Sequence, residues 1–71
     1  MFYERFQKKV GQNIKKARLT AEMTQEGMAR FGFNIRHFQD IEAGKVRMTL
    51  QTLYRIAQAF EISPESLLKS K

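Results

Sequence analysis

The 71-residue sequence contains no cysteine and no tryptophan, one proline and one histidine. Without cysteine, a disulfide scaffold, a thiolate zinc site and a cysteine nucleophile are excluded, and we expect a cytoplasmic protein. No apolar run approaches the roughly 18 residues needed to span a bilayer, and the aromatic start lacks the pattern of a signal peptide. His37 is the one histidine and Asp40 the one aspartate. We therefore expect no enzyme activity, no metal, no cofactor and no small-molecule ligand.

Positive charge is what the chain has in excess. Thirteen Lys and Arg residues against seven Asp and Glu residues give a net charge of +6. This density predicts a polyanionic partner, with nucleic acid first and an acidic membrane surface second. The length predicts one small domain over residues 1–71 with a thin core. The 42% of hydrophobic residues suffice for that core, so wholesale disorder is not expected.

Apolar residues recur at helical spacing between start and stop signals. The signals are N-cap and glycine residues: Thr24, Gly32, Asn34, Gly44, Thr49 and Ser63. No stretch alternates with period two, as a half-buried strand would. The pattern predicts an all-α fold of five helices at about 3–20, 25–31, 35–43, 50–60 and 64–69.

Each predicted helix has an apolar side. The first carries a stripe through Phe2 or Tyr3, Phe6, Val10, Ile14 and Ala17. The later helices would bury Met28, Ala29, Phe31, Phe38, Ile41, Leu50, Leu53, Ile56, Ala57, Phe60, Leu67 and Leu68.

Residues 24–44 have the pattern of a helix-turn-helix: a short helix, a glycine turn, and a capped helix of about eight residues. On the third helix Phe38 and Ile41 face the protein core. A residue two positions away lies about 200° round the helix, so Arg36 and Asp40 face outward, with Gln39 and Ala43 beside them. Such groups can donate to guanine, bond adenine at two points and accept from cytosine in a major groove. Any solvated helix face is polar as well, so this face alone leaves both interpretations open.

Five motifs follow one another over residues 10–68: VGQNIKKAR at 10–18, MTQE at 23–26, FQDIEAGK at 38–45, LQTLYRIAQAF at 50–60 and SPESLL at 63–68. Their order and spacing resemble the Cro/C1-type (XRE, lambda-repressor-like) helix-turn-helix family of bacterial and phage DNA-binding regulators. The resemblance implies a five-helix DNA-binding domain with the helix-turn-helix at helices two and three. Residues 1–9 would extend the first helix beyond the family match.

The resemblance also implies roles for individual residues. Contacts to DNA bases would come from Asn34, Ile35, Arg36, His37, Gln39 and Asp40. Contacts to DNA phosphates would come from Thr24, Gln25, Lys45 and Arg47. Gln25 would be the first residue of helix two, where free amides and the helix dipole favour an anion. Arg18 and Glu42 would form a partly buried ion pair that fixes the angle at which helix three is presented.

The sequence departs from the family pattern at several positions. The turn at residues 30–33 is one residue short, so helix two ends early or the contact register shifts by one. Glu22 stands where a glycine normally closes helix one. Gly27 stands inside helix two where a glutamate is usual, at a cost of about 1 kcal/mol relative to Ala. Ile35 is apolar, and would touch a thymine methyl group or pack against the turn.

Three functions remain open. The first is a sequence-specific, double-stranded DNA-binding transcriptional regulator, whose homodimer reads a palindrome with recognition helices about 34 Å apart. The second is a controller or antitoxin-type module of the same fold whose partner is another protein. The third is a charge-driven binder that uses the basic residues of helix one. For the first function, we expect a dimer interface at Tyr54, Phe60, Ile62, Leu67 and Leu68, with the aromatics Phe2, Tyr3 and Phe6 as the alternative.

Overall fold

The computed structural model describes residues 2–69, and this part of the chain is helical without a strand. The elements in order are α1 (Phe2–Thr20), the 3₁₀ helix η1 (Glu26–Phe31), α2 (Ile35–Glu42), α3 (Leu50–Phe60) and the 3₁₀ helix η2 (Pro64–Leu67). The all-α class is confirmed. The prediction of five helices is not confirmed as made, because three of the segments are α-helices, while the second and fifth are short 3₁₀ helices of six and four residues.

The second helix shows the hydrogen bonds of a 3₁₀ helix. The amides of Gly27 and Met28 donate to the carbonyls three residues earlier, those of Thr24 and Gln25, at 3.1 and 3.0 Å. A 3₁₀ helix rises about 2.0 Å per residue against 1.5 Å for an α-helix, so six residues reach about as far as eight.

Most helices begin and end at the capping residues that the sequence predicts. The Asn34 side chain accepts a hydrogen bond from the His37 amide at 2.9 Å, and the Thr49 hydroxyl accepts one from the Thr52 amide at 3.1 Å. Gly32 closes η1 with φ +89° in the left-handed region. The prediction for Ser63 is wrong in detail, because its hydroxyl makes no capping bond. Instead the Ser63 carbonyl accepts from the amide and hydroxyl of Ser66.

The core lies between α1, α2 and α3, and η1 and η2 each add one buried residue, Met28 and Leu67. The fully or nearly buried apolar residues are Val10, Ile14, Met28, Phe33, Phe38, Ile41, Leu53, Ile56, Ala57, Phe60 and Leu67. The expected burial of Ala29 and Phe31 is wrong, since both are exposed. Phe33, just beyond the Gly32 turn, takes the core position, with its ring centroid 5.8 Å from that of Phe38.

Several residues expected in the core or in a dimer interface differ in burial from the prediction. Phe60 and Leu67 lie in the core of the protomer, which corrects their expected place in a dimer interface. Ile62 is half-buried, while Tyr54 and Leu68 are exposed. Leu50, predicted to be buried, is 82% exposed, because it lies at the first residue of α3 and faces outward. The aromatics at the start of α1 are exposed as well.

Glu22 takes the left-handed conformation that a glycine usually provides, with φ +60°. This conformation costs a residue with a Cβ roughly 1–2 kcal/mol. We therefore expect Glu22→Gly to raise the free energy of unfolding by about 0.5–1 kcal/mol. The rest of the relieved strain is offset because glycine increases the conformational entropy of the unfolded chain. Thermal unfolding followed by circular dichroism measures the effect. Glu26→Gly is the matched control, because Glu26 has a negative φ, and it should lower the melting temperature; a lower melting temperature for Glu22→Gly would contradict the account.

Candidate nucleic-acid interface

α2 presents a polar face next to the turn that joins it to η1. Its buried residues are Phe38, Ile41 and Glu42, and these fix the helix against α1 and η1. The opposite side leaves Arg36, His37 and Gln39 exposed, with Ile35 and Asp40 half-buried. Of the six residues expected to contact bases, five therefore belong to α2. The sixth, Asn34, uses its side-chain oxygen to cap α2, which leaves its amide group free to donate.

A buried ion pair lies directly behind this face. The Arg18 Nε donates to Glu42 Oε2 at 2.7 Å and the Arg18 Nη2 donates to Oε1 at 3.2 Å. Both side chains are less than a tenth exposed. The third guanidinium nitrogen, Nη1, donates to the Met23 carbonyl at 2.7 Å. The pair thus joins the end of α1, the segment before η1 and the last turn of α2 at one point.

Two glutamines extend this ion pair to the surface. The Gln25 side-chain amide donates to Glu42 Oε1 at 2.9 Å, and the Gln39 amide donates to Gln25 Oε1 at 3.2 Å. The half-buried Gln25 side chain is therefore held in one position between η1 and α2. Gln25 also precedes η1, which begins at Glu26, so it lies one residue before the helix position expected of it.

The residues expected to contact phosphate lie in the segments that precede η1 and follow α2. Thr24 is exposed, and its hydroxyl accepts a hydrogen bond from the Gly27 amide at 3.0 Å. Lys45 and Arg47 are exposed in the segment that follows α2. That segment is anchored on α1, because the Gln7 side-chain amide donates to the Gly44 carbonyl at 2.8 Å. Gln25 is bonded to Gln39 and Glu42 in the carboxyl-terminal half of α2, and Lys45 follows the same end of that helix.

Arg55 of α3 also belongs to this region. Its guanidinium donates to the Phe31 carbonyl at 3.0 Å and lies 4.5 Å from the centroid of the Phe33 ring. Arg55 thereby connects α3 to the turn between η1 and α2. No local pattern signals this contact, because 24 residues separate Arg55 from Phe31.

The described residues do not suggest a metal or a membrane segment. Within residues 2–69 no three His, Cys, Asp or Glu side chains are grouped closely enough to hold a metal ion. None of the helices in this range combines the length and the apolar character required to cross a bilayer.

Comparison with known proteins adds a relative. The chain is 37% identical over 62 residues to an uncharacterized HTH-type transcriptional regulator, y4dJ, of Sinorhizobium fredii, and the match covers 86% of this chain and 80% of that protein. No family model matches the chain, and no solved structure matches it. The family of this relative is one of regulators and is not enzymatic. With its helical fold and its exposed polar α2, the chain belongs to the HTH-type transcriptional regulators.

Proposed function

We propose that this chain is a sequence-specific DNA-binding regulator of the Cro/C1 (XRE) type, which binds a palindromic operator as a homodimer with α2 in the major groove. The observation that carries the proposal is a chain of hydrogen bonds. It links the buried Arg18–Glu42 pair through Gln25 to Gln39 on the exposed face of α2. An ion pair buried at this point sets the angle of one exposed helix, which is what base reading requires. One recognition helix reads few base pairs, so specificity calls for two copies.

The polar face of α2 has the donors and acceptors that base reading requires. Arg36 can donate two hydrogen bonds to guanine, Gln39 can bond adenine at two points, and Asp40 can accept from cytosine. Ile35 is half-buried against the turn, which leaves part of its side chain for a thymine methyl group. His37 and the Asn34 amide complete the surface offered to the groove.

The backbone contacts come from the segments that precede η1 and follow α2. Gln25 lies just before η1, and its side chain is oriented by Glu42 and Gln39 before any DNA arrives. Lys45 and Arg47 carry positive charge in the segment after α2. Contacts of this kind position a protein on the duplex, while the base contacts specify the sequence.

Selection from a random duplex library at physiological salt tests the proposal. We expect sequencing of the bound fraction to show an inverted repeat whose half-sites lie about one helical turn apart. A bound pool without enrichment, with affinity that falls steeply as salt is added, would leave only charge-driven binding.

We expect Arg36→Ala to weaken binding to the selected operator by about 1–3 kcal/mol and to relax the preference for one base pair. The reason is the loss of a base-edge contact rather than of a charge alone. Lys16→Ala is the matched control, because it removes the same charge from the side of α1 next to η2. Fluorescence anisotropy with the operator and its single-base variants measures both effects. Equal binding curves for the two variants would show that the register of α2 is wrong.

We expect Gln25→Ala to weaken binding to every duplex by about the same factor, roughly 0.5–1.5 kcal/mol, because a phosphate contact carries no sequence information. The measurement compares operator and scrambled duplex in one titration series. Gln58→Ala, a substitution of an exposed glutamine on α3, should change neither affinity. A loss confined to the operator would contradict the prediction, and would mean that Gln25 acts on base reading directly or through Gln39, whose amide it binds.

A further inference from the structure

An exposed apolar surface lies where α1 and α3 begin. Its residues, here called the apolar patch, are Phe2, Tyr3, Phe6, Leu50 and Leu68, with exposed fractions of 75, 46, 41, 82 and 37%. Four of them line a groove of about 180 Å³, whose floor includes Val10 and Leu53. Phe2 stands one helical turn before Phe6 on the same face of α1. The patch is therefore continuous and concave at its centre.

The area of the patch is close to what one half of a dimer interface needs. Large apolar side chains present about 150–250 Å² each, so these exposed fractions amount to on the order of 500 Å². A standard interface covers about 800 Å² per partner, part of it polar rim. The largest contiguous apolar patch of a typical monomeric protein covers about 300–600 Å² and is often a functional surface.

The charge distribution favours a second copy on this surface. None of the residues that line the groove is charged, although the chain has a net charge of +6. A second groove, around Ile62, contains Lys16 and Lys69. Two copies joined there would bring lysines of like charge together. Two copies joined at the apolar patch would bring apolar surfaces together, with the Arg47 cation of each copy at the border over Tyr3.

The position of the patch also fits a DNA-bound pair. The Arg47 guanidinium carbon lies 5.3 Å from the centroid of the Tyr3 ring, so the patch borders the segment that carries Lys45 and Arg47. A partner seated on the patch would lie beside this segment, and no residue of α2 belongs to the patch or lines its groove.

From these observations we propose that the apolar patch is the surface through which two copies of this chain associate, with an apolar side chain of each copy filling the groove of the other. The proposal rests on the proposed homodimeric regulator and names its interface. It replaces the carboxyl-terminal interface expected from the sequence, in which Phe60 and Leu67 are already buried.

Sedimentation velocity without DNA tests this interface at increasing protein concentration. We expect the wild-type chain to sediment as a dimer, and Leu50→Glu and Phe2→Glu each to raise the dimerisation Kd by about tenfold or more. Both side chains are largely exposed, so both variants should keep the circular dichroism spectrum of the wild type. Leu19→Glu is the control, because Leu19 is 56% exposed but lies about 20 Å further along α1 than Phe6; it should dimerise as the wild type does.

Two results would overturn the proposal. One is a wild-type chain that stays monomeric at millimolar concentration, which would mean that the patch binds a different protein. The other is a dimer that Leu50→Glu and Phe2→Glu leave intact. The test is separate from DNA binding: a dimer broken by both variants supports the interface even where library selection returns no operator.

Discussion

Gly11→Ala is expected to lower the free energy of unfolding by about 1–2 kcal/mol. A Cβ on Gly11 would lie 2.6 Å from the Ile41 carbonyl oxygen and 2.7 Å from the Glu42 carbonyl oxygen. These are backbone atoms of the last turn of α2 and cannot rotate away as a side chain could. Overpacking of this kind typically costs about 1–3 kcal/mol and occasionally more. The gain of about 1 kcal/mol in helix propensity from Gly to Ala offsets only part of that cost.

Thermal unfolding tests this prediction. In a domain of this size the melting temperature should fall by about 4–8 °C for each kcal/mol lost. Gly27→Ala is the matched control, since its Cβ would meet only the Thr24 side-chain hydroxyl at 3.3 Å. That variant should be neutral or slightly more stable. The same melting temperature for both alanine variants would show that α1 and α2 are not held in close contact at Gly11. We also expect Gly11→Ala to weaken operator binding below its melting temperature, because displacing the end of α2 changes the angle of the helix.

Glu42→Ala is expected to lower the free energy of unfolding by about 3–5 kcal/mol, because it leaves the Arg18 guanidinium buried without its carboxylate. The loss in stability should exceed the loss in DNA affinity measured where the variant is folded, since Glu42 does not face the groove. Urea unfolding at low temperature measures the first quantity and operator titration the second.

Two comparisons sharpen the Glu42→Ala experiment. Glu26→Ala removes an exposed carboxylate and should change stability little. Arg18→Met combined with Glu42→Leu should recover much of the lost stability, because an apolar pair of similar volume often replaces a buried ion pair without net cost. A melting temperature for Glu42→Ala equal to that of Glu26→Ala would mean that the ion pair contributes nothing to the fold.

The features that the sequence predicts well are those that depend on neighbours along the chain. The caps at Asn34 and Thr49 and the exit at Gly32 each involve groups within three or four residues. The burial of Phe38 and Ile41 follows from the 3.6-residue period of a helix. These signals are enough to predict the all-α class and to predict which face of α2 is buried.

The features that the sequence does not predict depend on how the helices cross. The Gln25 bonds to Glu42 and Gln39 join residues 17 and 14 positions apart. The contact of Gly11 with the end of α2 and the exposure of Leu50 likewise arise only once α1, α2 and α3 are packed. Periodicity also overestimates burial at helix ends, because a stripe such as that of α1 continues through Phe2 and Phe6 beyond the elements that cover it.

The division of α2 into two faces has a consequence for how its binding preference can evolve. Its packing depends on Phe38, Ile41 and Glu42, while Arg36 and His37 make no packing contribution to the core. On the proposed function, substitutions at these outward positions alter the preferred operator while leaving the fold intact. The preference could then change by single substitutions. For the same reason, a library randomised at positions 36 and 37 should consist mainly of folded proteins with different preferences.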